Sequence, residues 1–140
     1  MRVINLAFRA AESFFVEGDR ITPEILQSML DKGNFLLAEA AAGLVGCVYV
    51  ELQGERAYFG LLAVDPSKQR TGAGSRLMSE AEEHARQNGC RFADLSVVNL
   101  RVELPPWYRR RGYVETGTGP FPADVVTKIE CHFMTMTKAL

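Results

Sequence analysis

The sequence predicts a mixed α/β (α+β) fold in which a mostly antiparallel sheet is flanked by helices. Three observations predict this class: helical spacing of apolar residues in the N-terminal third, short β-type runs from Phe35 onward, and an amphipathic helix between two apolar strands. The 140 residues contain no internal repeat and no Pro/Ser-rich linker. We therefore expect residues 1–140 to form a single domain.

Two helices are predicted ahead of the sheet. Apolar residues recur at helical spacing from Val3 to Phe14. The second helix has clear boundaries, because Thr22 is a suitable N-cap and Pro23 suits the first helical position. Gly33 is the expected end of this helix.

The next segment changes to runs of apolar and β-branched residues separated by turn-like clusters. These runs predict three strands of an antiparallel meander, over about Phe35 to Ala40, Leu44 to Leu52 and Ala57 to Val64. An amphipathic helix then ends near Gly89, and a strand follows over Phe92 to Val98. Strand, helix and strand in this order form a β-α-β unit, and we expect the functional site at its first junction.

The last third of the chain has weaker signals. We expect a short helix from Trp107 to Arg111 and a strand from Tyr113. A Gly/Pro-rich loop is predicted from Thr116 to Glu130, followed by a last strand from Cys131 to Lys138. A loop of this length is typical of a functional surface rather than of a tight hairpin.

Composition and charge exclude several classes of function. The formal net charge of −1 argues against nucleic acid as a partner. The longest uncharged stretch, Ala40 to Val50, is much shorter than the roughly 20 apolar residues that span a bilayer, so no membrane partner is expected. The apolar start of the chain is too brief for a secretory signal, which predicts a cytoplasmic protein.

The cysteines and histidines carry no metal-site pattern. Cys47, Cys90 and Cys131 are widely separated and lack a C-x-x-C spacing, so we expect buried or half-buried thiols rather than disulfides or ligands. His84 and His132 are too few and too isolated to form a site. The sequence therefore predicts no metal.

The strongest chemical signal is a glycine-rich turn that follows a strand and opens a helix, Gln69-Arg70-Thr71-Gly72-Ala73-Gly74-Ser75. A helix start presents unpaired N–H groups and the positive end of the helix dipole, which together bind phosphate. Glycine at positions 72 and 74 would let a phosphate approach the backbone. The turn predicts a phosphate site, with a merely flexible helix start as the alternative, and Gly72→Val is expected to be its most damaging substitution.

Two other phosphate-binding motifs compete for this turn. A Walker A loop requires a lysine after its last glycine, and none follows Gly74. The dinucleotide fingerprint G-x-G-x-x-G fits Gly72 and Gly74 and finds Asp94 at a suitable spacing for a ribose contact, but Leu77 stands at its third position. The predicted meander also argues against this fingerprint, since a dinucleotide-binding half begins with parallel strands.

Three segments between residues 57 and 117 form a set. Gln69 to Gly74 reads Q-x-x-G-x-G, and Asn99 is followed by the Y-x-x-x-G-Y pattern of Tyr108 to Tyr113. The third segment, Ala57 to Pro66, is an apolar strand that ends in Val-Asp-Pro. In this order the segments resemble the GNAT acetyltransferase superfamily, and the apolar strand resembles that family's fourth strand.

The resemblance implies a site for acetyl-coenzyme A (acetyl-CoA) between the family's fourth and fifth strands, which part to admit the pantetheine arm. The backbone of Leu62, Ala63 and Val64 would contact the arm, since unpaired strand groups accept a ligand like an added strand. The turn from Gln69 to Ser75, with Arg70, Thr71, Gly72, Ala73 and Gly74 between them, would surround the pyrophosphate. Asn99 would either contact the coenzyme or fasten the loop after the fifth strand.

The resemblance also implies roles in acetyl transfer. Tyr108 would act as the general acid for the departing thiolate, with a packing role as the alternative. A backbone N–H near Leu62 would donate to the oxyanion. The general base stays open, because relatives use a glutamate or histidine on the fourth strand, or a water chain, and the corresponding stretch here offers Tyr58. Other candidate bases are Glu51, Glu103, Glu130 and His132.

The acceptor pocket is expected between the first two helices and the loop from Thr116 to Glu130. Phe14, Phe15 and Phe121 would either line this pocket or belong to the core. Relatives begin with a strand, whereas this chain starts almost inside its first helix, so the usual first strand is expected to be missing. The sheet edge left open in this way is compatible with a homodimer.

Taken together, these features predict an acetyl-CoA-dependent N-acetyltransferase that needs no metal. The acetyl group would pass to a small-molecule amine or a protein amino group by direct attack on the thioester. The alternative is a non-catalytic acyl-CoA-binding sensor or assembly module.

Overall fold

The computed structural model describes residues 4–5, 22–40, 43–68, 72–120 and 131–140. Within these residues the helices are α1 (Pro23–Lys32), α2 (Ala73–Gln87) and α3 (Leu104–Arg109), and Ile4 and Asn5 are also helical. The strands are β1 (Asn34–Ala40), β2 (Gly43–Gln53), β3 (Arg56–Val64), β4 (Phe92–Val98), β5 (Val114–Pro120) and β6 (His132–Ala139). A single 3-10 turn in the described chain, Pro66–Lys68, follows β3.

The strands form one six-stranded sheet in the order β1-β2-β3-β4-β6-β5. The pair β3–β4 is parallel and every other neighbouring pair is antiparallel. The predicted meander and the β-α-β unit are therefore confirmed, with α2 as the connection between β3 and β4. This mixed, mainly antiparallel sheet with helices is the fold class that the sequence predicts.

The boundaries of α1 follow from local chemistry. The Thr22 hydroxyl accepts a hydrogen bond from the Ile25 N–H at 3.3 Å, and Pro23 occupies the first turn, where no intrahelical N–H bond is lost. The Gly33 N–H donates to Met29 O at the other end. Gly33 is also required by space, because a Cβ there would lie 2.4 Å from Val50 O.

The two faces of the sheet carry separate cores. On one face, α2 buries Leu77, Met78 and Ala81 against β-strand residues that include Val48 and Phe59. On the other face a smaller cluster brings α1 against the sheet. Its members are Ile4, Ile25, Leu26, Met29, Phe35, Leu44, Cys47, Leu61 and Ala63. The central strands β3 and β4 therefore lie between two apolar layers.

Two elements of the last third differ from the sequence-based expectation. The short helix begins at Leu104 rather than Trp107, because Pro105 and Pro106 lie in its first turn. The residues Thr116 to Pro120, expected to start a loop, continue β5 and pair with β6. An edge strand tolerates glycine and proline because only one side of its backbone joins the ladder.

The burial of the cysteines is as predicted: Cys47 and Cys90 are buried and Cys131 is partly buried. In the residues that the structure describes, no helix is long and apolar enough to cross a bilayer. The same residues contain no group of three or more His, Cys, Asp or Glu side chains arranged to hold a metal ion. The expected loss of the first strand concerns residues 1–21, of which only Ile4 and Asn5 are described.

Candidate functional site

The central feature of the site is the parting of β3 and β4. Their parallel pairing runs from Arg56–Phe92 to Phe59–Leu95 and then stops, although β3 continues to Val64 and β4 to Val98. Beyond Phe59, β3 pairs only with β2. The edge of β3 that faces β4 therefore has backbone N–H and C=O groups outside the ladder, which is the arrangement that accepts an extended ligand as an added strand.

A β-bulge shapes this unpaired edge. Cys47 pairs with Ala63 and Tyr49 with Gly60, so Leu61 and Leu62 together lie opposite Val48. Leu61 has a φ of +47°, the one positive φ at a non-glycine residue in the described part of the chain. Bulges of this kind redirect backbone groups next to binding sites, and backbone strain at a leucine persists only where its surroundings enforce it.

The start of α2 lies at the Val64 end of the gap. Gly72 is the N-cap with a φ of +85° and makes no side-chain cap bond. The N–H groups of Ala73, Gly74 and Ser75 belong to the first turn, which has no intrahelical acceptors, whereas Arg76 N already bonds Gly72 O at 3.0 Å. A Cβ on Gly74 would lie 3.9 Å from Val64 Cγ2, so the helix start and the end of β3 are adjacent. Gln69, Arg70 and Thr71 lie outside the described residues.

Aromatic residues of α3 pack beside this helix start. A Cβ on Gly74 would lie 3.7 Å from the Trp107 ring. The Arg111 guanidinium lies 3.8 Å from the centre of the same ring, in a cation–π contact. Trp107 therefore contacts both Arg111 and the first turn of α2, where an anion would bind. Both contacts are packing contacts of the Trp107 ring.

Tyr108 is buried, with 8% of its surface exposed. Its ring makes edge contacts with Trp107 and Tyr113, at centroid distances of 5.0 and 5.8 Å. Burial raises the pKa of Tyr108 to about 12, and the nearby positive charges of Arg101 and Arg111 oppose this shift. No hydrogen bond of its hydroxyl is found in the described part of the chain, so a buried donor is left for a ligand.

Asn99 fastens the loop after β4 to the start of β6. Its Oδ1 accepts a hydrogen bond from the His132 N–H, and its own N–H donates to His132 O, both at 2.9 Å. Of the two roles expected for Asn99, these bonds support the fastening role.

A cleft of about 390 Å³ opens between α1 and the strands β2 and β3. Glu51 and Tyr58, two of the residues considered for the general base position, are cross-strand partners in this cleft. Tyr49 OH lies 3.0 Å from Glu51 Oε1 and 2.9 Å from Met29 O, so the same phenol contacts both the carboxylate and α1. The full lining consists of Ser28, Met29, Lys32, Tyr49, Glu51, Gln53 and Tyr58.

The other candidate bases lie elsewhere. Glu103 pairs with Arg101 at 2.7 Å before α3, and His132 is exposed at the start of β6. Glu130, Phe14, Phe15 and Phe121 fall outside the described residues. Asp94 forms a two-bond ion pair with Arg56, both bonds at 2.7 Å, which gives it a structural role instead of the ribose contact of a dinucleotide site.

Comparison with known proteins agrees with this geometry. A family profile described as "Acetyltransferase (GNAT) domain" matches residues 10–138. The amino-acid acetyltransferase of Pseudomonas putida is 28% identical over 106 residues, which make up 74% of this chain and 23% of that protein. The chain thus corresponds to about a quarter of the length of the curated relatives that it matches.

Solved structures share the fold. Nourseothricin acetyltransferase matches with a TM-score of 0.70 and 26% identity, covering 77% of this chain and 65% of that one. A Bacillus subtilis acetyltransferase in complex with CoA matches with a TM-score of 0.75 at 18% identity, covering 99% of this chain and 91% of that one. Since the family profile spans most of the sequence, the resemblance is confirmed, and the chain belongs to the acetyltransferase (GNAT) domain family.

Proposed function

We propose that this chain is an acetyl-CoA-dependent N-acetyltransferase that moves an acetyl group to a primary amine by direct attack on the thioester. The observation that carries the proposal is the edge of β3 from Gly60 to Ala63, which lies beyond the last pair that β3 forms with β4 and close to the start of α2. The relative from Pseudomonas putida is named for amino acids, which contain primary amines, and this supports an amine as the acceptor.

Residues at both ends of the gap would bind the coenzyme. Backbone groups of Leu62, Ala63 and Val64, which follow the last pair between β3 and β4, suit the amide groups of a pantetheine arm. At the end of the gap, the N–H groups of Ala73, Gly74 and Ser75 suit an anionic pyrophosphate, because a helix N-terminus combines free donors with a positive dipole end. We assign Gln69, Arg70 and Thr71 to the same phosphate site from their place in the motif.

The chain's own groups would then promote transfer. When bound, acetyl-CoA supplies the acetyl group in an activated thioester. The Leu62 N–H beside the bulge would donate to the carbonyl oxygen as it gains negative charge, and a fixed backbone dipole does so without reorganising. Tyr108 would donate its hydroxyl hydrogen toward the departing thiolate.

The pKa of Tyr108 refines its role. With a pKa of about 12, Tyr108 stays protonated throughout the physiological range. A thiol of this kind has a pKa near 8.5, so complete proton transfer from Tyr108 to the thiolate is uphill by about 3.5 units, or roughly 5 kcal/mol. We therefore propose that Tyr108 stabilises the departing sulfur as a hydrogen-bond donor, and that solvent completes the protonation.

Glu51 is the proposed base. It is the only carboxylate among the described residues that line the cleft, and it pairs directly with Tyr58, the position at which the family resemblance implies a glutamate or histidine. The Tyr58 ring packs over Gly60, since a Cβ there would lie 3.0 Å from this ring. Gly60 immediately precedes the bulge, so the cleft reaches the strand segment at which the thioester would lie. Glu51 would take the proton of the amine directly or through water.

The test combines coenzyme binding with turnover. Acetyl-CoA at about 100 times its dissociation constant should stabilise the fold by roughly 2.7 kcal/mol, seen as a rise in Tm. Thiol release should then depend on an added amine in a panel of amino acids, polyamines, aminoglycosides and peptides. Stabilisation without amine-dependent release would favour the non-catalytic acyl-CoA-binding module, and no stabilisation would refute both functions.

Tyr108→Phe separates catalysis from packing. The substitution removes a buried hydroxyl that has no protein partner among the described residues, so the free energy of unfolding should stay equal or rise by up to about 1 kcal/mol. Turnover should fall by roughly 100-fold to 1,000-fold while acetyl-CoA binding is retained, because one preorganised hydrogen-bond donor to the departing sulfur is lost. Unchanged turnover, or a loss of stability with proportionate loss of binding, would assign Tyr108 to packing.

A further inference from the structure

The cleft between α1 and the strands β2 and β3 contains one group of each charge. Its volume of about 390 Å³ lies in the range of small-molecule sites. Among the described residues that line it, Glu51 is the only anion and Lys32 the only cation. The remaining lining side chains are neutral, and two of them are tyrosines.

Glu51 is held in a fixed orientation. Its Oε1 lies 3.0 Å from Tyr49 OH, whose single hydrogen is shared between this oxygen and Met29 O at 2.9 Å, and its Oε2 accepts a hydrogen bond from Gln53 Nε2. Burial, followed by the hydrogen bond to Glu51, raises the pKa of Tyr49 to about 12, so this phenol remains a neutral donor. A carboxylate has about four acceptor positions, so two bonds leave it able to accept from an ammonium group.

Lys32 stands on the opposite wall, in the last turn of α1. It forms no ion pair with Glu51 or with any other side chain in the described ranges. Opposite charges that share a cleft without pairing can both be satisfied by one ligand that carries both charges. The Glu51 end adjoins Tyr58, whose ring covers Gly60 next to the bulge, so the ligand's amine would lie at the end of the cleft near the thioester.

We propose that this cleft selects a small primary amine that also carries an anionic group, with the amine at Glu51 and the anionic group at Lys32. The proposal rests on the proposed function for the fate of the amine, but it predicts binding of such a ligand even without acetyl transfer. In an amine of this class, the number of intervening carbon atoms sets how far apart the two charges can lie. The cleft should therefore prefer the chain length that reaches from Glu51 to Lys32.

The experiment compares two matched series of probes with the full chain. One series is glycine, β-alanine, 4-aminobutanoate and 6-aminohexanoate, together with α-amino acids, and the other is the alkylamines of equal length without the carboxylate. We expect kcat/KM for the best amino acid to exceed that of its alkylamine by at least about 10-fold, the equivalent of 1.4 kcal/mol. Equal values across the two series would overturn the proposal.

Reversing the charge of Lys32 gives a more direct test. Lys32→Glu should invert the selection, so that diaminoalkanes become better acceptors than amino acids of the same length, a gain that misfolding cannot produce. Lys32→Gln should lower the ratio of amino acid to alkylamine by about 10-fold. Arg91→Gln is the matched control, since Arg91 is an exposed cation outside the cleft and its loss should leave this ratio unchanged. A similar effect of all three substitutions would refute a role for Lys32.

A binding measurement separates this proposal from the proposed function. Amide resonances of Tyr49, Glu51 and Tyr58 should shift on titration with the preferred amino acid and not with its alkylamine, whether or not acetyl-CoA is turned over. If acetyl-CoA neither binds nor reacts but these shifts occur, the proposed function fails and the cleft assignment stands. If turnover proceeds with amines that produce no such shifts, the cleft assignment fails and the proposed function stands.

Discussion

Gly72 and Gly89 form a matched pair with which to test the phosphate site. Gly72 precedes α2 with a φ of +85°, and Gly89 follows it with a φ of +84°. A Cβ at either position would meet no heavy atom within 4 Å, so neither substitution creates a clash in the protein alone. The two glycines therefore share their backbone strain and differ in which end of the helix they occupy.

The expected loss of stability is the same for Gly72→Val and Gly89→Val. A left-handed backbone at a residue with a side chain costs roughly 1–2 kcal/mol, and a β-branched residue lies at the upper end. For a domain of this size each kilocalorie lowers the Tm by about 3–4 °C. We expect both variants to unfold about 6–8 °C below the parent chain, as measured by differential scanning calorimetry.

The expected loss of coenzyme affinity differs between them. A valine side chain at position 72 would project into the open space at the first turn of α2. A phosphate must cross this space to reach the N–H groups. Loss of one hydrogen bond to a charged group corresponds to roughly 1.5–3 kcal/mol, so the Kd for CoA should rise about 10-fold to 100-fold in Gly72→Val. Gly89→Val should bind like the parent chain, because free and bound protein carry the same strain.

Calorimetric titration with CoA measures this difference, and pantetheine serves as an internal comparison. Pantetheine lacks the pyrophosphate, so its inhibition constant should be alike in both variants. Wild-type affinity of Gly72→Val for CoA would refute the placement of the pyrophosphate at the start of α2. An equal loss of CoA affinity in the two variants would show that backbone strain, rather than blocked access of the phosphate to α2, lowers the affinity.

Two ion pairs predict changes in stability away from the site. The Arg56 guanidinium, hydrogen-bonded to Asp94, lowers the pKa of that carboxyl, so the pair stabilises the fold above the unfolded pKa of about 3.9 and this contribution is lost as the pH falls through the lower folded value. Asp94→Asn should therefore be less stable than the parent in urea at neutral pH, with a difference that shrinks at about pH 3, and a constant difference would contradict this reasoning. Glu82 is buried and binds Lys138 Nζ at 2.8 Å and Tyr113 OH at 2.9 Å. Glu82→Gln should lower the free energy of unfolding by about 3 kcal/mol, and a loss below about 0.5 kcal/mol would show that the buried pair contributes little net stability.

Local chemistry made much of the fold predictable. The caps of α1, the three-strand meander and the glycine turn at the start of α2 are all decided by residues next to one another in the chain. Other boundaries were wrong where local chemistry was ambiguous. The short helix was predicted to begin at Trp107, whereas it begins at Leu104 and has Pro105 and Pro106 in its first turn, where proline is favoured. The glycines of β5 were interpreted as loop residues, because turn propensity does not reveal that an edge strand has a partner on one side.

The position of the proposed base, Glu51, and that of the β-bulge in β3 could not be predicted from local propensity alone. Gln53 pairs with Arg56, so the hairpin loop is the two residues Gly54 and Glu55, and this register places Glu51 opposite Tyr58. From the sequence, Gln53 to Glu55 were interpreted as a three-residue turn, so the pairing of Glu51 with Tyr58 was not predicted. Counting from a two-residue loop would have found it. The bulge had no such signal, because its positive φ occurs at Leu61, where a glycine would be expected.

The phenol at position 58, where the family resemblance implies a glutamate or histidine, has a consequence for the proposed mechanism. Tyr58 is the cross-strand partner of Glu51, and it contributes electrostatically to the raised pKa of both Tyr49 and Tyr108. The pKa values of Tyr49 and Tyr108 are both about 12, which leaves Glu51 as the only anionic side chain among the described lining residues. In the proposed mechanism, a phenol at position 58 would keep a second anion away from the departing thiolate, where it would oppose charge development. The Glu51 carboxylate on the neighbouring strand would retain a base for the amine while the sulfur faces a neutral donor.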